Sequence, residues 1–351
     1  MKSFFKDFFK WFWRFSSIYV IIILLCLIKV DYCIYLPGNL TDVKNEIVID
    51  DTKDLNGSVS SVYIISLNRP TLFSYLLTKD LKYASAVKLT KSEIKEMDNK
   101  LDTAIGNFDA MESFSSAEVS AYYDLYKDTD YFKYKQVTYI SSSESLIDAN
   151  LKYTEIVGCL IKDLNGIEYP TLTEVSDYLK SISTDEYATL NLVNSKGTTK
   201  ELKIKKREVD GNSLFGITIK TSFILDIDSN IKVKNVYSQG PSGGAMQALY
   251  IYLKLNDEDL LRGRKIAGTG TIGYALNSDG DIATFSYIGA IGCVEQKLYA
   301  AFLDKAEVFY CPKSNYERCL EAYKRYGFTD KDIRLVEVET LSDIIEDLKN
   351  N

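Results

Sequence analysis

The sequence predicts a protein of the α+β class with an N-terminal transmembrane helix, and three observations lead to this prediction. An uncharged, mostly apolar run extends from Phe15 to Ile28 behind a basic, aromatic-rich tail. Between about residues 130 and 207, strand-like segments are separated by turn signals such as Asn165-Gly166. Beyond Gly211, strands and amphipathic helices alternate. The 351 residues are enough for two or three domains of ordinary size.

The chain contains no histidine, which excludes several kinds of site. A Ser-His-Asp triad, a Cys-His dyad and an H-E-x-x-H zinc site all require that residue. Acid–base chemistry near neutral pH therefore needs another side chain with a shifted pKa. No Walker A motif occurs, and the six cysteines form no C-x-x-C pair. We expect core thiols, no metal and no cofactor, and the net charge of −7 argues against nucleic acid as a partner.

The N-terminal segment predicts a basic cytoplasmic tail over residues 1–14 and a transmembrane anchor over residues 15–36, closed by Pro37-Gly38. Arg14 and Lys29 are placed to reach the two interfaces. Excess positive charge in the tail predicts a cytoplasmic N-terminus, with the rest of the chain outside the cell membrane. A cleaved signal peptide is the alternative, but no A-x-A-like cleavage site follows Ile28.

Residues 37–129 predict strands followed by helices. The strands are expected at Glu46–Asp50 and Ser58–Leu67, and the helices at Lys91–Ile105 and Ser115–Lys127. The helices are polar and amphipathic, so we expect a solvated, extracytoplasmic connector without a chemical role.

Residues 130–208 predict a small separate module. It contains a strand at Val137–Ile140, a strand ending in the Asn165-Gly166 turn, a helix at Thr173–Ser181 and a hairpin from Tyr187 to Lys206. Its order resembles a PDZ domain, with Gly158, Ile161, Asn165 and Gly166 matching the usual pattern and Cys159 replacing its aspartate. The resemblance implies that the module binds an extended peptide by strand addition, with a carboxylate-binding loop within Ser141–Asn150. A generic β/α module is the alternative.

Residues 209–351 form the last predicted domain. Its expected elements are the strands Phe215–Thr221, Phe223–Asp228, Arg264–Gly273, Val308–Tyr310 and Ile333–Val338, a hairpin turn at Asn277–Gly280, and helices after Gly244, from about Val294, at Tyr316–Tyr326 and at Thr340–Leu348.

Within this domain, the segment Gly240-Pro241-Ser242-Gly243-Gly244 places a serine in a tight turn that opens an amphipathic helix. Free N–H groups and a positive dipole end are available there. In a chain without histidine, such a serine needs another base, and a buried lysine is suitable because burial disfavours its charged form. Lys297, at the start of a helix behind a glycine-rich turn, is the candidate.

Four ordered motifs in this domain resemble the proteolytic domain of Lon proteases. They are the Gly240–Gly244 turn, Ala267-Gly268-Thr269-Gly270-Thr271-Ile272, Ile291 to Lys297, and Ala300-Ala301 with Tyr310-Cys311-Pro312. The resemblance implies a ribosomal-protein-S5-like α/β fold, with Ser242 as nucleophile, Lys297 as base and Thr269 orienting the lysine. Gly240, Pro241 and Gly243 would form the nucleophile turn and the oxyanion region. Lon-type domains also form hexameric rings, which makes a homo-oligomer possible.

The chain departs from the Lon pattern at three places. Gly243 replaces an alanine, Cys293 replaces the second glycine of the lysine motif, and residues around Ala283–Tyr287 look inserted. Neither catalytic side chain is lost. With the anchor and the PDZ-like module ahead of this domain, the whole chain resembles the bacterial membrane-anchored PDZ–Lon peptidases. Met111-Glu112-Ser113 with Ala117 and Ala121 is a weaker match, to a segment found before the PDZ domain in that group.

The expected function is that of an ATP-independent, membrane-anchored serine endopeptidase that cleaves extracytoplasmic peptides or proteins. The PDZ-like module would position the substrate. The alternative is a membrane-tethered peptide-binding adaptor with an inactive Lon-like scaffold.

Overall fold

The computed structural model describes residues 2–50, 52–145, 147–209, 211–234, 236, 239–256 and 258–351. The helices are α1 Lys2–Leu27, α2 Leu72–Thr78, α3 Lys91–Glu96, α4 Asn99–Tyr126, α5 Tyr153–Ile156, α6 Leu172–Ser181, α7 Gly244–Leu255, α8 Val294–Leu303, α9 Lys313–Tyr326 and α10 Leu341–Asn350. The strands are β1 Tyr32–Asp42, β2 Ile47–Ile49, β3 Ser58–Asn68, β4 Ser85–Lys88, β5 Tyr134–Ser143, β6 Asp148–Ala149, β7 Leu160–Leu164, β8 Ile167–Glu168, β9 Tyr187–Val193, β10 Thr199–Lys205, β11 Arg207–Val209, β12 Asn212–Leu214, β13 Ile217–Leu225, β14 Ile231–Val233, β15 Lys265–Gly268, β16 Thr271–Leu276, β17 Ile282–Gly289, β18 Val308–Pro312 and β19 Arg334–Val338. The fold is therefore mixed α and β, as the sequence predicts.

A six-stranded sheet with the order β19-β18-β15-β3-β1-β4 forms the centre of the larger part of the molecule. The strands β19, β18, β15 and β3 are parallel, and β1 and β4 continue the sheet in antiparallel pairing. Side chains alternate between two cores, so that Tyr310 packs with α7 and α10 while the adjacent Phe309 packs with α8 and α9. The sheet thus holds the start of α7 on one face and that of α8 on the other.

A second sheet forms the smaller module, with the order β13-β5-β7-β9-β10-β6 and β8 beside β7. Its core is aliphatic: Ile140, Ile161, Leu190 and Leu202 are fully buried, and Val175 of α6 packs onto them. The helix at 172–181 and the hairpin formed by β9 and β10 confirm the expected elements.

The boundary expected at residue 209 is wrong. In place of two strands of the last domain, residues 217–225 form one strand, β13, which pairs along its length with β5 of the module. The N-terminal strands are also reassigned, since β1 and β3 belong to the same sheet as β15 and complete the last domain. The module is therefore inserted into a single larger unit, and this arrangement depends on strand pairing between segments far apart in sequence.

The expected anchor at residues 15–36 ends too late. Helix α1 stops at Leu27, and the apolar residues after Asp31 belong to β1, where Cys33 and Ile34 are buried between β3 and β4. The apolar run is continuous in sequence, so hydrophobicity alone could not separate an exposed apolar helix from a buried strand. Within the described residues, one segment, Phe8–Leu27, is long and apolar enough to cross a membrane; a signal sequence would have the same properties.

The segment expected to be a solvated connector is instead a core helix. The two predicted helices at 91–105 and 115–127 are replaced by short α3 and by α4, which runs unbroken from Asn99 to Tyr126. Phe114, Ala117 and Ala121 of α4 are buried against α7. These residues lie at helical spacing, but the stripe is narrow, includes two alanines and is surrounded by polar residues, so it was hard to recognise in the sequence.

Candidate active site

Ser242 lies in the turn that leads into α7. Gly240 adopts a positive φ of 86°, which favours glycine, and its amide donates to the carbonyl of Gly106 in α4 at 2.8 Å. The amide of Gly244 donates to the carbonyl of Pro241 at 3.2 Å, which closes the turn around the serine. Ser242 therefore stands at the N-terminal end of a buried helix, where the helix dipole is positive.

Lys297 is the fourth residue of α8, and its side chain reaches Ser242 across the domain. Its Nζ lies 2.6 Å from Ser242 Oγ and 3.1 Å from Thr269 Oγ1. The residue is 3% exposed. Burial lowers the pKa of the lysine from its ordinary 10.5 to about 8, with a small opposing effect from Cys293. A useful fraction of the amine is therefore neutral near physiological pH, as a general base requires.

The hydroxyl of Thr269 connects the backbone of Ser242 to the amine of Lys297. Its hydroxyl carries one proton, which it donates to the carbonyl of Ser242 at 2.9 Å. The hydroxyl oxygen can then only accept from Lys297 Nζ. Lys297 Nζ donates to Thr269 Oγ1 and also to Ser242 Oγ, 2.6 Å away. The contact with Thr269 thus holds the amine beside the Ser242 hydroxyl, from which its lone pair can accept once the amine is neutral.

The first turn of α7 offers two amides to a bound group. The amides of Gly244 and Ala245 donate to the carbonyls of Pro241 and Gly270. The amides of Ser242 and Gly243 have no hydrogen-bond acceptor among the described residues. Adjacent free N–H groups at a helix start form the kind of site that stabilises a developing oxyanion.

A chain of buried polar side chains supports the Gly240–Gly244 turn. Ser113 Oγ donates to Gln247 Oε1 at 2.9 Å and lies 3.3 Å from the carbonyl oxygen of Pro241. Gln247 Nε2 donates to Glu46 Oε2 at 3.3 Å. Glu46 is 1% exposed, and burial raises the pKa of its carboxyl to about 7. The only sequence signals were Gln247 on an otherwise apolar helix and the Met111-Glu112-Ser113 segment.

Two departures from the Lon pattern have a local explanation. A Cβ at Gly243 would lie 3.3 Å from Ser61 Cβ, which is tighter than most real contacts, so glycine suits this turn. Cys293, just before α8, has φ 58° and ψ 37°, the left-handed conformation that glycine adopts at lower cost. The apparent insertion at 283–287 is part of β17, which pairs with β16 as a hairpin.

A cleft of about 510 Å³ begins beside the Gly240–Gly244 turn, with Pro241 and Thr271 on its lining. The strands β13 and β16 flank it, and each pairs on one side only among the described strands. Glu112, Lys220 and Ser222 form a hydrogen-bonded group on one wall, since Glu112 accepts from both of the others. The apolar wall consists of Val119, Ile219, Phe223, Ile272, Tyr274 and Phe285. In other proteins, extended peptides add to exposed strand edges of this kind.

A second cavity of about 550 Å³ lies in the module, between α6 and the segment leading into β13. Of the loop expected to bind a carboxylate, Ser142, Ser143 and Glu144 line this cavity, and Leu146 lies outside the described residues. The opposite wall comes from residues 213–218, which the sequence did not indicate. Lys206 supplies a cation at the lining.

Among the described residues, no group of three or more His, Cys, Asp or Glu side chains is arranged to hold a metal ion. The six cysteines are free thiols, four of them buried. A scan against protein-family models and a search of curated proteins find no match to this chain.

Proposed function

We propose that the protein is an ATP-independent serine endopeptidase with a Ser242–Lys297 dyad, carried by a Lon-type proteolytic domain. The observation that supports this most directly is the 2.6 Å separation of Lys297 Nζ and Ser242 Oγ, with the lysine buried and the serine at a helix start. In a chain without histidine, a buried amine of lowered pKa is the available base for a serine nucleophile.

In the proposed reaction, neutral Lys297 accepts the hydroxyl proton of Ser242 as Oγ attacks the peptide carbonyl. The oxyanion forms beside the amides of Ser242 and Gly243, a type of contact worth about 10²–10³ in rate for one donor. Lys297 then protonates the leaving amine, and an acyl-enzyme remains. Water attacks this ester with Lys297 again as base, which restores Ser242.

The inserted module is proposed to act as a PDZ-type domain that positions the substrate. Its strand β13 borders both the cavity beside α6 and the cleft that leads to Pro241. A peptide held along β13 would therefore lie close to the nucleophile turn. Helix α1 is proposed to anchor the chain with its N-terminus in the cytoplasm, because the N-terminal part of the helix is rich in lysine.

The test is active-site labelling of the full-length protein in detergent with a serine-reactive fluorophosphonate probe. Wild type should be labelled and should cleave a peptide library, whereas Ser242→Ala and Lys297→Ala should lose both properties. Ser278→Ala, at an exposed position in the hairpin turn, is the matched control and should behave as wild type. Undiminished cleavage by Ser242→Ala would overturn the assignment.

The alternative, a tethered adaptor, is favoured by the cavity beside α6, which could hold a peptide without any cleavage. It predicts that wild type binds peptides in a pull-down but shows neither labelling nor turnover. The same labelling experiment therefore separates the two functions.

A further inference from the structure

The short helix α2 is tied directly to the end of α1. The amide of Leu72 donates to the carbonyl of Ile28 at 2.7 Å, and the amide of Val30 donates to the carbonyl of Pro70 at 3.0 Å. Lys29 forms an isolated antiparallel bridge with Thr71, and α2 packs against α1. Because α2 starts level with Ile28 and contacts α1, it lies beside the end of the apolar segment Phe8–Leu27.

Three leucines in and after α2 are exposed, and we name Leu76, Leu77 and Leu81 the leucine patch. Their exposed fractions are 49%, 60% and 37%. No residue of α2 is buried. An exposed cluster of large aliphatic side chains marks a surface that meets another apolar phase. Tyr75 and Tyr32, whose ring centroids lie 4.7 Å apart, stand at the same junction, and tyrosine is enriched where a membrane meets water.

We propose that the leucine patch inserts into the interfacial layer of the lipid bilayer that α1 enters. The proposal rests on α1 as a membrane anchor and does not depend on peptidase activity. Helix α2, which carries Leu76 and Leu77, packs against α1. Lys82 adjoins the patch in sequence, where it can meet anionic headgroups, whereas Lys79 is paired with Asp80 at 2.8 Å. Lipid is therefore the occupant that the position of the patch favours.

This second contact would hold the protein at a defined height above the bilayer. The connection from α1 to β1 spans only residues 28–31, and its backbone is hydrogen-bonded to the Pro70–Leu72 segment. The anchor is therefore joined to the central sheet without a flexible linker. Ser242 would act at one distance from the membrane, which restricts substrates to those whose scissile bond reaches that height.

The test uses the full-length chain reconstituted in vesicles of phosphatidylcholine and phosphatidylglycerol, with Cys26 and Cys293 replaced by serine and glycine. An environment-sensitive fluorophore is attached through Leu77→Cys or, as the matched control, through Leu276→Cys, an exposed leucine in the β16–β17 hairpin. Lipids carrying a doxyl group in the upper acyl chain quench fluorophores that enter the bilayer.

A label at position 77 should lose about half or more of its emission, because interfacial helices sit about 5–10 Å into the headgroup and acyl boundary. The label at position 276 should keep its emission. Equal quenching by the doxyl lipids at the two positions would overturn the proposal. Disulfide crosslinking between two chains through Leu77→Cys would also overturn it, because a second copy would then cover the patch. A label at Leu24→Cys that escapes quenching would remove the anchor and the proposal with it, whereas fluorophosphonate labelling of Ser242 reports on the proposed activity separately.

Discussion

Replacing the buried lysine should make the protein more stable while it removes the proposed activity. Lys297 has a folded-state pKa of about 8 against an ordinary 10.5. Below pH 8 the folded protein holds a charged amine in a site that disfavours it, at a cost of about 3 kcal/mol. Lys297→Met keeps the length of the side chain and removes the charge. The loss of the hydrogen bonds to Thr269 and Ser242 offsets about 2 kcal/mol of the gain, which leaves a net stabilisation of about 1 kcal/mol at pH 7.

The stabilisation by Lys297→Met should also depend on pH. Between pH 8 and pH 10.5 the unfolded lysine carries a proton that the folded one has lost, so wild type gains stability as the pH rises. The methionine variant gains none from this site. The free energy of unfolding of the variant relative to wild type should therefore be greatest below pH 8 and fall toward pH 10.5.

The measurement is urea-induced unfolding of the detergent-solubilised chain at pH 7, 9 and 10.5, followed by tyrosine and tryptophan fluorescence. Lys324→Met in α9, where the lysine is exposed, is the matched control and should change stability little at any of these pH values. A Lys297→Met protein less stable than wild type at pH 7, or a difference that does not vary with pH, would refute the description of Lys297 as a buried, destabilised amine.

Four further outcomes are expected. The rate of cleavage at low substrate concentration should rise with pH through about 8 as Lys297 loses its proton, and a flat profile between pH 6 and pH 9 would exclude it as the base. Thr269→Val should lower kcat/KM by about 10²-fold, because the amine loses the contact that orients it, and should lower the free energy of unfolding by about 1–3 kcal/mol, because the Ser242 carbonyl and the Lys297 amine each lose a buried partner; a wild-type rate would contradict that role. Glu46→Gln should stabilise the protein by about 3 kcal/mol above pH 7, with the gain vanishing below about pH 4.5, since burial favours the protonated carboxyl; unfolding at pH 8.5 and pH 4 checks both limits. Cys293→Gly should raise the unfolding free energy by about 1 kcal/mol by relieving a left-handed residue, and unchanged or lower stability would count against that strain.

Much of the local structure is encoded in neighbouring residues. The helix that begins at Val294, the hairpin turn at Asn277–Gly280 and the strand that begins at Val308 appear where hydrophobic periodicity and turn residues predict them. These signals depend on a few adjacent residues, so they can be recognised without knowledge of the fold. The pairing of a serine turn with a lysine helix also follows from sequence, because the absence of histidine leaves few other bases.

The pairing of strands that are far apart in sequence could not be predicted from such local signals. Nothing near Ile217 indicates that its strand joins β5 of the module, and nothing near Tyr32 indicates that an apolar run becomes a strand between β3 and β4. Strand partners are selected by packing across the whole sheet, whereas the apolar pattern along one segment is compatible with several partners.

The chemical components of the candidate site could thus be named from the residues alone, while their working geometry depended on the folded chain. Ser242, Thr269 and Lys297 are far apart in sequence. Only packing around the central sheet brings the hydroxyls of Ser242 and Thr269 to 2.6 Å and 3.1 Å from the lysine amine. The buried support from Glu46, Gln247 and Ser113 joins three distant segments, and nothing local to any of them indicates that they meet. Burial itself, which lowers the pKa of Lys297 and raises that of Glu46, is a property of the assembled core and of no single segment.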